Sequence, residues 1–113
     1  MASFHKDRKI AAIKDLAAKF FGENSNRTSL ITVTDLIPST DGKSATIYVT
    51  VLPESHEIQA LDFARRHLGD LRQYIGNEAR LGVVPFLSIE IDGGEKNRQR
   101  IDELLREDSE KQK

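Results

Sequence analysis

The chain is 113 residues long, the usual size of one domain. Apolar residues make up 38% of it and charged residues 31%, with a formal net charge of −1, so the overall basicity of a generic nucleic-acid binder is missing. There is no cysteine, which excludes disulfide scaffolds, thiolate metal sites and cysteine nucleophiles.

The first residues contain no apolar run of signal-peptide length, and no window approaches a membrane span, so the expectation is a soluble cytoplasmic protein. Ile10, Ile13, Leu16, Ala17, Phe20 and Phe21 recur at helical spacing and predict a helix over 3–21. Ser3 is placed to cap its start and Gly22 to end it as a left-handed residue. The polar stretch 23–28 reads as a loop. Residues 29–37 alternate as a strand, with Ile31, Val33 and Ile37 on one side and Thr32 and Thr34 on the other. A Pro and Asp-Gly turn over 38–42 leads to a second strand, in which Ala45, Ile47, Val49 and Val51 oppose Thr46, Tyr48 and Thr50.

After Pro53, Ser55 is a candidate cap for a second helix, with Glu57 favoured in its first turn by the helix dipole. Its buried stripe reads Ile58, Leu61, Ala64, Leu68, Leu71 and Ile75, and Gly76 ends it. Pro85 introduces a third strand in which Leu87, Ile89 and Ile91 alternate with Ser88 and Glu90, ending at Asp92-Gly-Gly. Ile101, Leu104 and Leu105 mark a short final helix, and 107–113 is a charged tail expected to be disordered.

The expected class is therefore α+β, with one domain over 1–106. A strand–helix–strand crossover places its two strands parallel. Helices then cover one face of a three-stranded mixed sheet. The order helix, strand, strand, helix, strand, helix matches the type II KH arrangement.

The run Ile31-Thr-Val-Thr-Asp35, a turn, then Ala45-Thr-Ile-Tyr-Val-Thr-Val51 resembles the hairpin of the ribosome-binding factor A family. So do Leu71-Arg-Gln-Tyr-Ile-Gly76, Arg80-Leu81, Val84-Pro-Phe-Leu87 and Arg100-Ile-Asp-Glu-Leu-Leu105, and the resemblance extends from about Ile10 to Leu105. It implies a KH-like domain without the usual GxxG loop, its helix kinked at an Ala-x-Gly sequence; His67-Leu68-Gly69 stands at that place here. It also implies a non-catalytic assembly factor that binds the immature 30S subunit and assists maturation of 16S rRNA. The expected protein is a monomer with no cofactor, no small-molecule substrate and no membrane partner.

The near-neutral total hides a dipolar chain. Residues 1–22 hold five Lys or Arg against two Asp, and 64–82 four Arg against two acids, whereas 23–63 holds two bases against six acids. On an unbroken helix Arg65, Gly69 and Arg72 share one flank beside the apolar stripe, a shallow strip with a cation at each end suited to phosphate. Arg66 adjoins it, and Lys6, Arg8, Lys9 and Lys14 of the first helix extend the basic surface. These eight residues are the candidate RNA contacts. Both strip arginines flank the buried stripe, so replacing them by alanine is expected to leave stability nearly unchanged. The alternatives are ordinary solvated helix faces for the cations and close packing for Gly69.

His5, His56 and His67 show no metal-ligand spacing. Glu90 and Asp92, on one strand face, read as solvated carboxylates rather than an acid/base pair, and neither a P-loop nor a G-x-S-x-G elbow occurs. Tyr48 either stacks on a base or packs against a cross-strand neighbour. The rival function is a protein-interaction module that uses the Thr/Tyr sheet face or a sheet edge.

Overall fold

A computed structural model of the chain describes residues 2–24, 29–79 and 83–94, with side chains over 8–23, 29–79 and 83–94. The elements are α1 (Ala2–Asn24), β1 (Leu30–Pro38), β2 (Ser44–Leu52), a 3₁₀ turn (Glu54–His56), α2 (Glu57–Arg66), α3 (Leu68–Ala79) and β3 (Phe86–Ile91). The sheet order is β1-β2-β3, antiparallel between β1 and β2 and parallel between β2 and β3. This is the expected mixed sheet with its crossover. The expected helix around Ile101–Leu105, the tail over 107–113 and most of the expected loop over 23–28 lie outside the described residues.

The apolar spacing places α1 as expected, but both of its predicted ends move. Ser3 and Gly22 lie within the helix, which continues to Asn24, so neither is a cap. Ile13, Ala17, Phe20 and Phe21 are buried on its inner face, against β1 and α3. Phe20 meets the Phe21 ring edge-on at 5.4 Å and the Tyr74 ring of α3 at 5.8 Å.

In β2, Ala45, Ile47, Val49 and Val51 are all buried, a clean period of two. β1 does not keep that period. Val33 pairs with Val49 but Asp35 pairs with Tyr48, so Thr34 is an extra residue in a β-bulge. Beyond it every side chain changes face: Leu36 is buried, and Ile37, expected inside, is 51% exposed.

The second helix is two helices. His67 leaves the helical region (φ −100°, ψ 9°), its amide closing α2 on the Phe63 and Ala64 carbonyls and its carbonyl accepting the first bond of α3 from Leu71 at 2.9 Å. The imidazole is held on both sides, with the Phe63 ring 4.5 Å away and Asp70 Oδ2 3.1 Å from Nδ1. The kink expected at His67-Leu68-Gly69 is therefore present as a full break. Ala60 and Ala64 form the buried face of α2, and Ile58, roughly 200° round the helix from Ala60, points outward, against expectation. Leu71 and Ile75 continue the core in α3, which passes through Gly76 and ends at Ala79. Ser55 sits inside the 3₁₀ turn, and α2 starts after His56 without a side-chain cap. In β3, Ile89 is buried between half-buried Leu87 and Ile91.

Candidate nucleic-acid interface

Three parts of the chain meet where β3 begins. The amide of Phe86 donates to the Lys43 carbonyl at 3.0 Å, which fixes the β1–β2 turn beside the first residue of β3. From α3, Arg72 donates through Nε to the Pro85 carbonyl at 3.2 Å and through Nη2 to the Val84 carbonyl at 2.8 Å. Its guanidinium carbon stands 4.5 Å from the centre of the Phe86 ring, a cation–π geometry. From α1, Lys9 Nζ donates to the Val83 carbonyl at 2.9 Å. Lys9, Lys43 and Arg72 thus share the lining of one groove of about 220 Å³ with Val83 and Phe86. Val83 is 81% and Phe86 67% exposed.

This arrangement revises the expected strip. The flank containing Arg65, Gly69 and Arg72 assumed a continuous helix, and the break at His67 divides it. Arg65 belongs to the far end of β3, where Nη2 lies 3.4 Å from the Ile89 carbonyl and 3.5 Å from Glu90. Arg72 belongs to the near end. Gly69 stays with Arg72, in a shallow depression shared with Gln73, Val83 and Val84. Among the described residues outside its own stretch of helix, nothing stands within 4 Å of the position its Cβ would take, so close packing among them does not explain this glycine.

The other expected contacts are dispersed. Arg66 is exposed and donates through Nε to the Asp62 carbonyl at 3.3 Å. Arg8 is exposed and Lys14 half-buried on α1, and the Lys6 side chain is outside the described ones. The structure joins Lys9 with Arg72 and adds Lys43, which the sequence reading counted only as one of two bases in the acidic stretch 23–63. Phe86 was also missed, although its outward phase reads Phe86, Ser88, Glu90, an aromatic at a polar position of the alternation.

The outer sheet face is chemically different. Tyr48 is half-buried and stands between Asp35 on β1 and Glu90 on β3, its register partners. A nucleic-acid phosphate there would face two carboxylates. Glu90 is exposed to solvent while pairing with Arg65, whereas Asp92 is half-buried and accepts from the Thr34 hydroxyl. At the turn, Asp41 Oδ1 accepts from the Ser39 hydroxyl at 2.6 Å and the Lys43 amide at 3.0 Å, which holds its carboxyl below the usual value. Among the described residues no cluster of three or more His, Asp or Glu side chains is placed to hold a metal, and no helix is long and apolar enough to cross a membrane.

A family model described as Ribosome-binding factor A matches residues 5–105. The ribosome-binding factor A of Geobacter sulfurreducens is 32% identical over 108 residues, 92% of this chain and 92% of that protein. That of Koribacter versatilis is 30% identical over 105 residues, 90% of this chain and 85% of that protein. The crystal structure of ribosome-binding factor A from Thermus thermophilus superposes with a TM-score of 0.66 at 24% identity, covering 76% of this chain and 93% of that one. A Thermotoga maritima protein solved by NMR superposes with a TM-score of 0.55 at 19% identity, covering 80% and 87%. These likenesses carry the fold, which is KH-like.

Proposed function

Because the chain belongs to the ribosome-binding factor A family, we propose that it is a ribosome-associated assembly factor that binds the immature 30S subunit through 16S rRNA and assists its maturation without catalysis. The observation that carries the RNA reading is the convergence of Lys9, Lys43 and Arg72 on one groove at the start of β3. A chain of net charge −1 achieves a local positive field there by segregating its acids, as with Asp35 and Glu90 on the outer sheet face. Each groove cation keeps donors for phosphate: Lys9 uses one of three on Val83, and Arg72 two of five on Val84 and Pro85.

Phosphate neutralisation then supplies affinity, and RNA shape supplies selection. Gly69, beside Arg72 and uncovered among the described residues, leaves room for a backbone to approach the start of α3. Arg8 and Lys14 extend the field along α1, and Arg65 and Arg66 are peripheral. The reaction class is binding alone, and the setting is the bacterial cytoplasm. Strand addition along β3 has less support, because the carbonyls of Val84, Pro85 and Ile89 already accept from Arg72 and Arg65.

Co-sedimentation of the tagged protein with free 30S particles and with 70S ribosomes tests the proposal. Enrichment on 30S particles is expected, together with accumulation of 16S precursor when the protein is depleted. Absence from both particles, or equal occupancy of both, would overturn it.

A further inference from the structure

We propose that Phe86 is a stacking platform for one unpaired RNA base, whose flanking phosphates are held by Lys43 and Lys9. The inference rests on the RNA-binding reading above and specifies what its groove recognises.

An exposed phenylalanine on the polar phase of a strand has no role in the core, since β3 buries Ile89 in the opposite phase. Arg72 covers one ring face and is itself fixed by two carbonyls, so the ring is held in one orientation before any ligand arrives. With 67% of its surface exposed, the ring leaves its other side to solvent. Such a pre-set aromatic face accepts any base, because every base has a π-face. The bound guanidinium adds a cation–π contact behind the ring.

Charge selects the occupant. The groove lining contains three cations and, among the described residues, no carboxylate. An apolar peptide would leave these cations desolvated without counter-charge, whereas a nucleotide brings both a ring and an anion. Lys43 is tied through its backbone to Phe86 and to the Asp41 carboxylate, which places the residue beside Phe86 in the lining of the same groove. Bases inside an A-form duplex are stacked on one another and withdrawn from such a surface, so the ligand is an unpaired nucleotide in a loop, bulge or end.

Phe86→Leu and Phe86→Tyr separate stacking from greasiness. The probes are the single-stranded oligonucleotide rA10, a blunt RNA duplex of equal charge, and 30S subunits, with melting temperature as the folding control. Expected is a loss of roughly tenfold or more for Phe86→Leu on rA10 and on 30S subunits. Phe86→Tyr stays near wild type, duplex binding is unchanged in both variants, and melting temperature holds. Equal binding of rA10 and 30S by wild type and Phe86→Leu would overturn the platform. So would a loss confined to 30S with rA10 binding intact, since the ring would then contact protein. Failure of the wild type to bind 30S subunits would instead remove the function proposed above, whatever rA10 shows.

Discussion

The hydroxyl of Thr34 donates to the carboxylate of Asp92, 58 residues later, from the position of β1 that has no register partner on β2. The same oxygen lies 3.2 Å from the Tyr48 carbonyl, so the bulged residue is held by the strand beside it and by the end of β3. That bond stabilises a phase change that decides which of two neighbouring aliphatic residues enters the core. Leu36→Ala should therefore destabilise the fold by about 2–4 kcal/mol, and Ile37→Ala by less than about 1 kcal/mol. Urea unfolding of the two variants checks this. The reverse ranking would mean that β1 runs in an unbroken period of two.

Arg65 and Arg72 should differ in stability. Arg72→Ala removes two bonds to carbonyls and a cation–π contact in a half-buried setting, at a cost of about 1–2 kcal/mol. Arg65→Ala removes a surface pair with Glu90, whose side chains are 48% and 57% exposed, and one long 3.4 Å bond to the Ile89 carbonyl, and should change stability by less than about 0.5 kcal/mol. Thermal melts read the difference, and binding to 30S particles should fall more for Arg72→Ala. Equal stabilities would show that the Val84 and Pro85 bonds contribute little.

Gly69→Ala places a methyl group where, among the described residues outside its own stretch of helix, nothing lies within 4 Å. The helix should gain some tenths to about 1 kcal/mol of stability. Binding to 30S particles should nevertheless weaken severalfold, because the methyl occupies the space by which RNA backbone approaches α3. Unchanged affinity in the stabilised variant would take Gly69 out of the interface while leaving the Phe86 groove in it.

Affinity for 30S particles should fall steeply with salt, as neutralised phosphates release counterions. Lys43→Ala should reduce the slope of log affinity against log salt by about 1, uniformly across RNA sequences. A titration between low and physiological salt measures both slopes, and a flat dependence would remove the phosphate contacts.

The lowered Asp41 pKa has a definite sign. Its folded value lies below the ordinary 3.8, first through the Ser39 hydroxyl and then through the Lys43 amide. The stabilisation is present above the unfolded value and is lost as pH falls through the folded one. Asp41→Asn should flatten the dependence of stability on pH below about 4. Identical acid limbs for the two proteins would show that this turn contributes nothing to it.

Helix and strand identity, the parallel crossover and most of the core were legible in the sequence, because period and turn chemistry are local signals. Ile13, Ala17, Phe21 and the four inward residues of β2 could be named from spacing alone, and so could the glycine of the Asp-Gly turn, which takes φ +74°. The likeness to a family also rested on residues in chain order. Where an element departed from its ideal period, local reading failed. One extra residue at Thr34 exchanged Leu36 for Ile37, and the break at His67 separated Arg65 from Arg72. Both departures are held by bonds made across space or around a single side chain, Thr34 to Asp92 and His67 between Phe63 and Asp70.

The candidate site shows the same division. Composition by segment pointed to basic surfaces on α1 and α3, since charge can be counted along a chain. It could not select Lys43, one of two cations in an otherwise acidic segment, nor pair it with Lys9 and Phe86. Parallel pairing of β3 with β2 brings Phe86 to the turn, and packing of α1 and α3 brings Lys9 and Arg72 over the Val83–Phe86 connection. Residues 34, 63 and 77 positions apart along the chain become neighbours only when the sheet closes and its helices settle on one face, because long-range packing carries no periodic trace in sequence.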